Sequence, residues 1–144
     1  MTWVVHSRWL ERQFDGTDAL DLDAVLAGST IKMGIVTEAA INPDTIHLFT
    51  TLTAVATATA WTGPVTLANI TCGLNGSFNL VFDADDPAVI ALDAGGFTDG
   101  RSLVVYEDTG KNIIASHIEG AVFGNVTGSI TITLNANGIW VMTI

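Results

Sequence analysis

Between Thr45 and Phe82 the chain carries no Asp, Glu, Lys or Arg. Apart from His47, this uncharged stretch contains only apolar residues, Thr, Asn, Ser, Gly and one Pro. Val and Thr are branched at Cβ, so they fit a pleated strand better than a helix. An open strand edge without charges promotes aggregation, and we therefore expect these strands to be covered by another sheet or by a partner.

The sequence TLTAVATATAWTG, in the middle of the uncharged stretch, alternates small and larger side chains. In a strand, the alanines of residues 54–60 would share one face, and Trp61 would lie with the threonines on the other. Small side chains permit close approach of another sheet or subunit. The sequence therefore predicts an interface here, with Ala56, Ala58 and Trp61 as candidate contacts.

Further along the chain, short apolar segments alternate with turns rich in Gly, Asp and Asn. A turn at residues 42–44 is followed by one predicted helical turn at residues 46–48. We predict strands at residues 30–37, 77–82, 88–92, 101–107, 113–119, 129–134 and 139–144. Several short strands about 10 residues apart are typical of a β-sandwich or barrel. The predicted fold is mainly β, with a single β-sandwich-like or barrel-like domain over residues 29–144.

Residues 1–28 are predicted to form an N-terminal arm with a short helix. Asp18 is a suitable N-cap and Gly28 a suitable stop for a helix between them. The arm also carries three aromatic residues, Trp3, Trp9 and Phe14. These side chains either join the core or contact a neighbouring molecule, and the sequence leaves both alternatives open. They complete the set of candidate interface residues.

The charged residues are few and mostly acidic: 15 acids stand against 5 bases, and the formal net charge is −10. Phosphate contacts require clustered Lys and Arg, so direct binding to nucleic acid is not expected. Attraction to anionic lipid surfaces is disfavoured for the same reason. The sequence contains no run of about 18 apolar residues, which argues against a membrane span.

Two features of the sequence bear on the cellular compartment in which the protein is made. Cys72 is the only cysteine, so the sequence allows no intrachain disulfide and no zinc site built from several cysteines, as is typical of a reducing compartment. Arg8, Glu11 and Arg12 interrupt the early apolar run where a signal peptide would continue. We therefore expect a protein that is made in a reducing compartment and is not exported by a signal peptide.

The segment RSLVVYEDTGKNIIASHIEG, residues 101–120, is the strongest candidate for chemistry because it holds Glu107, Asp108, His117 and Glu119. A turn at residues 108–111 would pair Tyr106 with Ile113, Val104 with Ala115 and Ser102 with His117, with Tyr106, His117 and Glu119 on one face. This register separates the two acids at the tip from His117. The two ligands that remain are fewer than the three that catalytic zinc takes from protein.

Other groups give no stronger signal. The DADDP segment at residues 83–87 lacks the spacing of a calcium-binding EF-hand loop, and the acids of residues 18–23 suit a helix N-terminus without any metal. His6, His47 and His117 lie in segments with no reason to converge. No nucleophile elbow, P-loop or dinucleotide-binding motif occurs. We therefore predict a protein that is not an enzyme, with no catalytic, metal-binding or cofactor-binding residues.

From Ile31 to Ile144 the chain contains, in order, a strand, NPD with a segment centred on Phe49, DADDP, AGGFTDGRSLVVYEDTG, NIIASHIEG and the closing GSITITLNANGIWVMTI. In this order they resemble a family of small structural proteins encoded in the virion gene clusters of tailed bacteriophages. Two segments depart from the family pattern: ATATAWTGPVTL stands where a Gly-Thr-Gly-Tyr and a Gly pair are common, and VIALDAGG lacks an expected Trp.

The resemblance implies a capsid decoration (cement) protein that binds and stabilises the shell of the major capsid protein. It also implies self-association, with a trimer as one arrangement, no cofactor, synthesis in the cytoplasm of the host bacterium, and a final place on the capsid surface. A tail, neck or head-fibre component is an alternative. A virion module that binds a receptor or carbohydrate is another, and it would use exposed aromatic residues such as Tyr106, Trp61 or Trp140.

Overall fold

The computed structural model describes residues 2–9, 11, 30–74, 80–134 and 139–142. A 3-10 helix covers Phe49–Thr51, and residues 7–9 and 11 are helical. The strands, in chain order, are β1 (Val4–Val5), β2 (Ile31–Val36), β3 (Val65–Thr66), β4 (Thr71–Leu74), β5 (Leu80–Asp83), β6 (Gly100–Glu107), β7 (Ile113–Phe123) and β8 (Trp140–Met142). The prediction of a mainly β protein is therefore confirmed.

The strands form two antiparallel sheets. The larger sheet has the order β1-β7-β6-β2-β3, and the smaller sheet has the order β4-β5-β8. Strands β2 and β6 lie at the centre of the larger sheet and pair without interruption from Ile31↔Glu107 to Val36↔Ser102. Almost every residue of both strands is buried. Their nearly continuous apolar sequences fit this position, because both faces of the larger sheet are covered.

One face of the larger sheet packs against the smaller sheet. Met33, Leu103 and Val105 belong to a hydrophobic cluster that also contains Phe82 of β5 and Ile139, which precedes β8. None of these side chains is more than 2% exposed. Burial of a side chain of this size contributes about 1.5–3 kcal/mol to stability. The two sheets therefore enclose a common core, as in a β-sandwich.

The opposite face of the larger sheet is covered by the loop of residues 41–52. Val36, Val104 and Ile113 form a second cluster with Ile41, and further apolar side chains of the loop pack against it. A hydrogen bond attaches the loop to the start of β7: the N–H of Ile113 donates to the carbonyl oxygen of His47 at 2.8 Å. Because of this cover, the alternate side chains of β2 and β6 are buried on both sides of the sheet.

Gly34 in β2 makes room for the ring of Phe49 in this loop. A Cβ at Gly34 would lie 2.6 Å from two ring atoms of Phe49, so only glycine allows the ring to lie against the strand. Phe49 also stacks on Tyr106, with ring centroids 4.1 Å apart and an interplanar angle of 9°. Burial, and to a lesser extent the nearby Asp108, raises the pKa of Tyr106 to about 12. The phenol is therefore protonated at neutral pH.

The strand prediction for TLTAVATATAWTG is wrong. This segment meets β2 only at an isolated bridge, Val36↔Ala54, and at a hydrogen bond from the N–H of Val55 to Ile35. It then leaves the sheet, and the N–H of Ala60 donates to the Asp93 carboxylate at 2.9 Å instead of to a neighbouring strand. This bond and one from Gly95 lower the pKa of Asp93. A side chain thus takes the place of a strand partner, and no continuous alanine face forms.

The other predictions of strands and helices were confirmed only in part. Strands β2, β6, β7 and β8 fall within their predicted segments or extend them, whereas residues 88–92 and 129–134 are joined only by an isolated bridge, Ile90↔Ile130. Strands β1, β3 and β4 were not predicted. The helical turn lies three residues later than expected. The predicted helix up to Gly28, Phe14 and the acids of residues 18–23 lie outside the described residues, so the boundary at residue 28 stays a prediction.

Candidate functional site

The turn between β6 and β7 is organised by Glu107, whose side chain is fully buried. Its Oε1 atom accepts hydrogen bonds from the backbone N–H groups of Gly110 (2.6 Å) and Asn112 (3.2 Å) and from Nδ2 of Asn112 (2.7 Å). Its Oε2 atom accepts one from the N–H of Thr109, at 2.9 Å. Every bond of this carboxylate holds the turn in place, so its role is structural.

Asp108, the next residue, binds two lysines. Its Oδ2 atom lies 2.8 Å from Nζ of Lys32 in β2, and its Oδ1 atom accepts a hydrogen bond from Nζ of Lys111. The hydrogen bonds from Lys111 and Lys32 lower the pKa of the Asp108 carboxyl. Asp108 therefore links the turn to β2 and has no contact with His117 that would form a joint site.

A β-bulge in the hairpin changes its register from the predicted one. Tyr106 pairs with Ile113 as predicted, but Val105, not Val104, pairs with Ala115, and Leu103 pairs with His117. The bulge adds one residue to β7, and each side chain after it moves to the other face of the sheet. His117 consequently shares a face with Leu103, whereas Tyr106 lies on the opposite face. The prediction that Tyr106 and His117 share a face is wrong.

His117 lies close to Glu119 and to the N-terminal residues. Its Nδ1 atom is 2.6 Å from the carbonyl oxygen of Thr2, its Nε2 atom is 3.1 Å from Oε1 of Glu119, and its ring centroid is 5.8 Å from that of Trp3. Both polar partners are acceptors, so both bonds form together only when the imidazole is protonated. In the part of the chain that the structure describes, no three His, Cys, Asp or Glu side chains come together to hold a metal ion.

Two of the three acids of the DADDP segment form hydrogen bonds to different neighbours. Asp85 accepts a hydrogen bond from Nδ2 of Asn69 at 2.6 Å, and Asp86 accepts one from the N–H of Leu134 at 2.6 Å. Both bonds connect this segment to other loops. The arrangement fits a hydrogen-bonded turn and gives no reason to assign a calcium site.

The N-terminal arm is attached to β7 by β1 and by His6. Strand β1 pairs Val4 with Ser116 and Val5 with Ala115. The fully buried His6 donates from Nδ1 to the carbonyl oxygen of Ile46 at 2.7 Å, and Nε2 accepts from the Ser116 hydroxyl at 3.0 Å. Burial is the largest influence on His6 and lowers its pKa, while the bond to Ile46 opposes the shift. Sequence reasoning missed this contact because its partners are far apart in the chain.

The arm's described residues therefore belong to the fold. Trp9 is 2% exposed and lies in the main core cluster, and Trp3 is half-buried against the same cluster. Of the two alternatives left open by the sequence, the structure supports core packing for Trp9. Trp9 is thus corrected as a candidate contact, because its own chain covers it. Phe14 lies outside the described residues.

The prediction of an interface at Ala56, Ala58 and Trp61 is also corrected in part. Trp61 is 3% exposed and packs edge-on against Phe97, with ring centroids 6.1 Å apart. It is therefore not accessible to a partner. Ala56 is exposed and Ala58 is half-buried, so these two remain candidates, but in an irregular segment and not on a strand face.

The most open surface of the larger sheet is the second half of β7, which we call the β7 edge (residues 118–122). All five residues are exposed, whereas the first four residues of β7 are buried. Strand β1 covers β7 only at residues 115 and 116. The β7 edge includes Ile118 and Val122, which are 40% and 48% exposed, and its only charged residue is Glu119.

A second irregularity makes the β7 edge bulge from the sheet. Ser102 pairs with Ile118 and Gly100 with Phe123, so β7 takes five steps where β6 takes two. Gly120, in the middle, has φ of +77°, a conformation that glycine adopts without strain. A bulged edge pairs poorly with a flat strand, so it disfavours unspecific aggregation and favours a partner of matching shape. This surface was not predicted from the sequence, because the predicted strand ended at residue 119.

Among the residues that the structure describes, no helix has the length and apolar character needed to cross a membrane. No protein-family model matches the chain, and no curated protein and no solved structure matches it either.

Proposed function

We propose that this chain is a non-enzymatic structural protein of a tailed-phage virion, and that it decorates the capsid by binding the major capsid protein. In this proposal it is made in the cytoplasm of the host bacterium, self-associates, and ends on the capsid surface. The ordered series of segments from NPD to the closing GSITITLNANGIWVMTI supports the virion origin by resemblance.

The observation that carries a binding role is the β7 edge. Five consecutive exposed strand residues, two of them large and apolar and only one charged, present backbone donors and acceptors along a side that β1 does not cover. Exposed strand edges are common recognition elements, and where the edge is bulged, as here, the exposed side chains beside it provide the fit to a partner. A capsid shell offers many identical copies of one partner surface, which suits a binding edge of this size.

The experiment compares a charged substitution on the β7 edge with a matched one elsewhere. Val122→Lys introduces an ammonium group into the edge, and Val89→Lys places the same group on another exposed valine. The readouts are the solution mass by light scattering and cosedimentation with capsids of the phage that encodes the chain. We expect the wild type and Val89→Lys to bind capsids, and Val122→Lys to bind at least about 10-fold more weakly, which corresponds to a loss of about 1.4 kcal/mol.

Two results would contradict the proposal. One is a wild-type protein that is a strict monomer without affinity for capsids. The other is equal capsid binding by both lysine variants, which would keep decoration possible but would remove the β7 edge as the contact.

A tail, neck or head-fibre position is the alternative within the virion, and cosedimentation with purified tails instead of capsids would favour it. The receptor- or carbohydrate-binding alternative requires exposed aromatic side chains. Two of its candidate contact residues, Trp61 and Tyr106, are only 3% and 2% exposed. A glycan needs an accessible ring to stack on, so no described observation favours that function.

A further inference from the structure

A pocket of about 420 Å³ lies where the N-terminal arm, the loop covering the larger sheet and the β6–β7 turn meet. Its described lining residues are Arg8, Thr45, His47, Leu48, Thr51, Gly110 and Asn112. The volume falls within the range of small-molecule sites, about 300–1,000 Å³. Nothing in the proposed capsid role requires this pocket, so its contents are a separate question.

The pocket concentrates positive charge in an acidic protein. Arg8 is exposed at its wall, and among the described residues it has no ion-pair partner. Lys32 and Lys111, in contrast, both form ion pairs with the Asp108 carboxylate. None of the described lining residues is acidic, although the whole chain has three times as many acids as bases. Arg8 therefore provides the positive charge that faces the pocket, while the buried Glu107 carboxylate lies behind Gly110 and Asn112 of the wall and is occupied by its own hydrogen bonds.

His47 supplies an unfilled polar contact in the same pocket. Its Nδ1 atom is buried and has no hydrogen-bond partner among the described residues, while its backbone oxygen accepts a hydrogen bond from the N–H of Ile113. A buried polar atom without a partner is unfavourable, and a ligand that bonds to it would remove this cost. Thr45 and Thr51 also line the wall, and the Thr51 hydroxyl donates to the carbonyl oxygen of Leu48 at 2.7 Å.

Leu48 gives the pocket an apolar side. It is 38% exposed, which is high for a leucine beside a cavity. A bare ion such as inorganic phosphate would leave this side chain and much of the volume without contacts. An anion with an attached apolar group would use both kinds of wall, with its charged head at Arg8 and His47 and its apolar part at Leu48.

We propose that this pocket binds a small organic anion, whose carboxylate or phosphate head contacts Arg8 and His47 and whose apolar part packs on Leu48. Arginine binds both kinds of head group in a bidentate manner, so the two chemistries share the same recognition. The proposal is independent of the capsid role, and either one can fail without the other.

The test uses simple probes and the full chain. Benzoate and phenyl phosphate carry the two head groups on one ring, benzamide is the neutral analogue of benzoate, and inorganic phosphate lacks the ring. Amide chemical shifts in NMR spectra are followed during titration. We expect benzoate or phenyl phosphate to shift the amides of His47, Leu48, Thr51 and Asn112 in a saturable manner, and the tighter of the two probes identifies the preferred head group.

Matched variants locate the effect. Arg8→Gln and Arg101→Gln each remove one arginine charge, and Arg101 also has no ion-pair partner among the described residues and does not line the pocket. Loss of a charged hydrogen-bond pair of about 1.5–3 kcal/mol predicts roughly 10- to 150-fold weaker binding for Arg8→Gln and little change for Arg101→Gln. His47→Leu should also weaken binding, and His47→Asn, which keeps a nitrogen near the Nδ1 position, should weaken it less.

Several outcomes would overturn the proposal. These are equal binding of benzamide and benzoate, equal effects of the two arginine variants, and no saturable shift up to about 20 mM probe, a concentration above the weakest useful affinity. A change in solution mass on Arg8→Gln would also overturn it, because the pocket would then be occupied by a second copy of the chain and not by a small ligand.

Discussion

Replacement of Glu107 by Gln tests whether one buried carboxylate organises the β6–β7 turn. The carboxylate accepts four hydrogen bonds, three at Oε1 and one at Oε2. Glutamine keeps the shape but replaces one oxygen with an NH₂ group, which can only donate. Whichever way the amide is turned, at least one backbone N–H then faces another donor inside a buried turn.

The expected cost follows from these contacts. One unsatisfied buried donor costs about 1–3 kcal/mol, and the remaining bonds lose the strengthening that a charged acceptor provides, about 0.5–1 kcal/mol in total. We therefore expect Glu107→Gln to lower the free energy of unfolding by about 1.5–4 kcal/mol. At about 3 °C per kcal/mol for a chain of this length, the Tm should fall by roughly 5–12 °C.

The measurement is urea unfolding at pH 7, followed by tryptophan fluorescence and by circular dichroism. Glu119→Gln is the control, because Glu119 is an exposed carboxylate whose side chain contacts His117, and such surface pairs contribute about 0–1 kcal/mol. If Glu107→Gln costs no more than Glu119→Gln, the turn does not depend on the buried carboxylate and the reasoning is refuted.

Three further predictions concern single side chains. The lowered pKa of His6 means that the unfolded chain binds more protons there, so stability should fall as the pH drops below about 6.5, by at most about 1.4 kcal/mol per pH unit, and His6→Asn should reduce this slope in thermal melts. Gly124→Ala should cost about 1–3 kcal/mol, since its Cβ would lie 2.2 Å from the carbonyl oxygen of Phe97, whereas Gly128→Ala, with no atom within 4 Å, should be nearly neutral in urea unfolding. Phe49→Ala should cost about 2 kcal/mol, less than the ~3–5 kcal/mol of a fully buried ring because Phe49 is half-exposed, and unchanged unfolding would contradict the stacking seen in the structure.

The central strands could be predicted because their sequences satisfy a local rule. In β2 and β6, β-branched and other apolar residues predominate in short segments (IKMGIV and the LVVY of GRSLVVYE) between turn residues, and a strand results where such a segment is buried. TLTAVATATAWTG has the same local character, yet it leaves the sheet after Val55. The two cases differ in the group that accepts the backbone hydrogen bonds. In TLTAVATATAWTG the N–H of Ala60 donates to the Asp93 carboxylate, which lies 33 residues away in the chain, and not to a neighbouring strand.

The candidate sites were harder to predict for a related reason. Glu107 was correctly placed at the hairpin tip, but its burial and its four bonds depend on the turn closing back over it. The bulge in β7 opposite Val105 and Tyr106 is not marked by a distinctive residue, and it reverses the predicted side of the residues from Ala115 to Ile118. The pocket at Arg8 and His47 joins segments about 40 residues apart, which only the tertiary fold brings together.

The two-residue strand β1 has a role beyond its own length. It covers β7 at Ala115 and Ser116, two of the four buried residues at the start of that strand. Removal of residues 1–6, or a fusion that displaces them, would extend the open side of β7 from five residues toward its full eleven. The newly opened part would expose Ile113, Ile114 and Ala115, which are apolar and buried in the intact chain. N-terminal truncation should therefore promote aggregation, and the intact arm should help to keep the protein soluble.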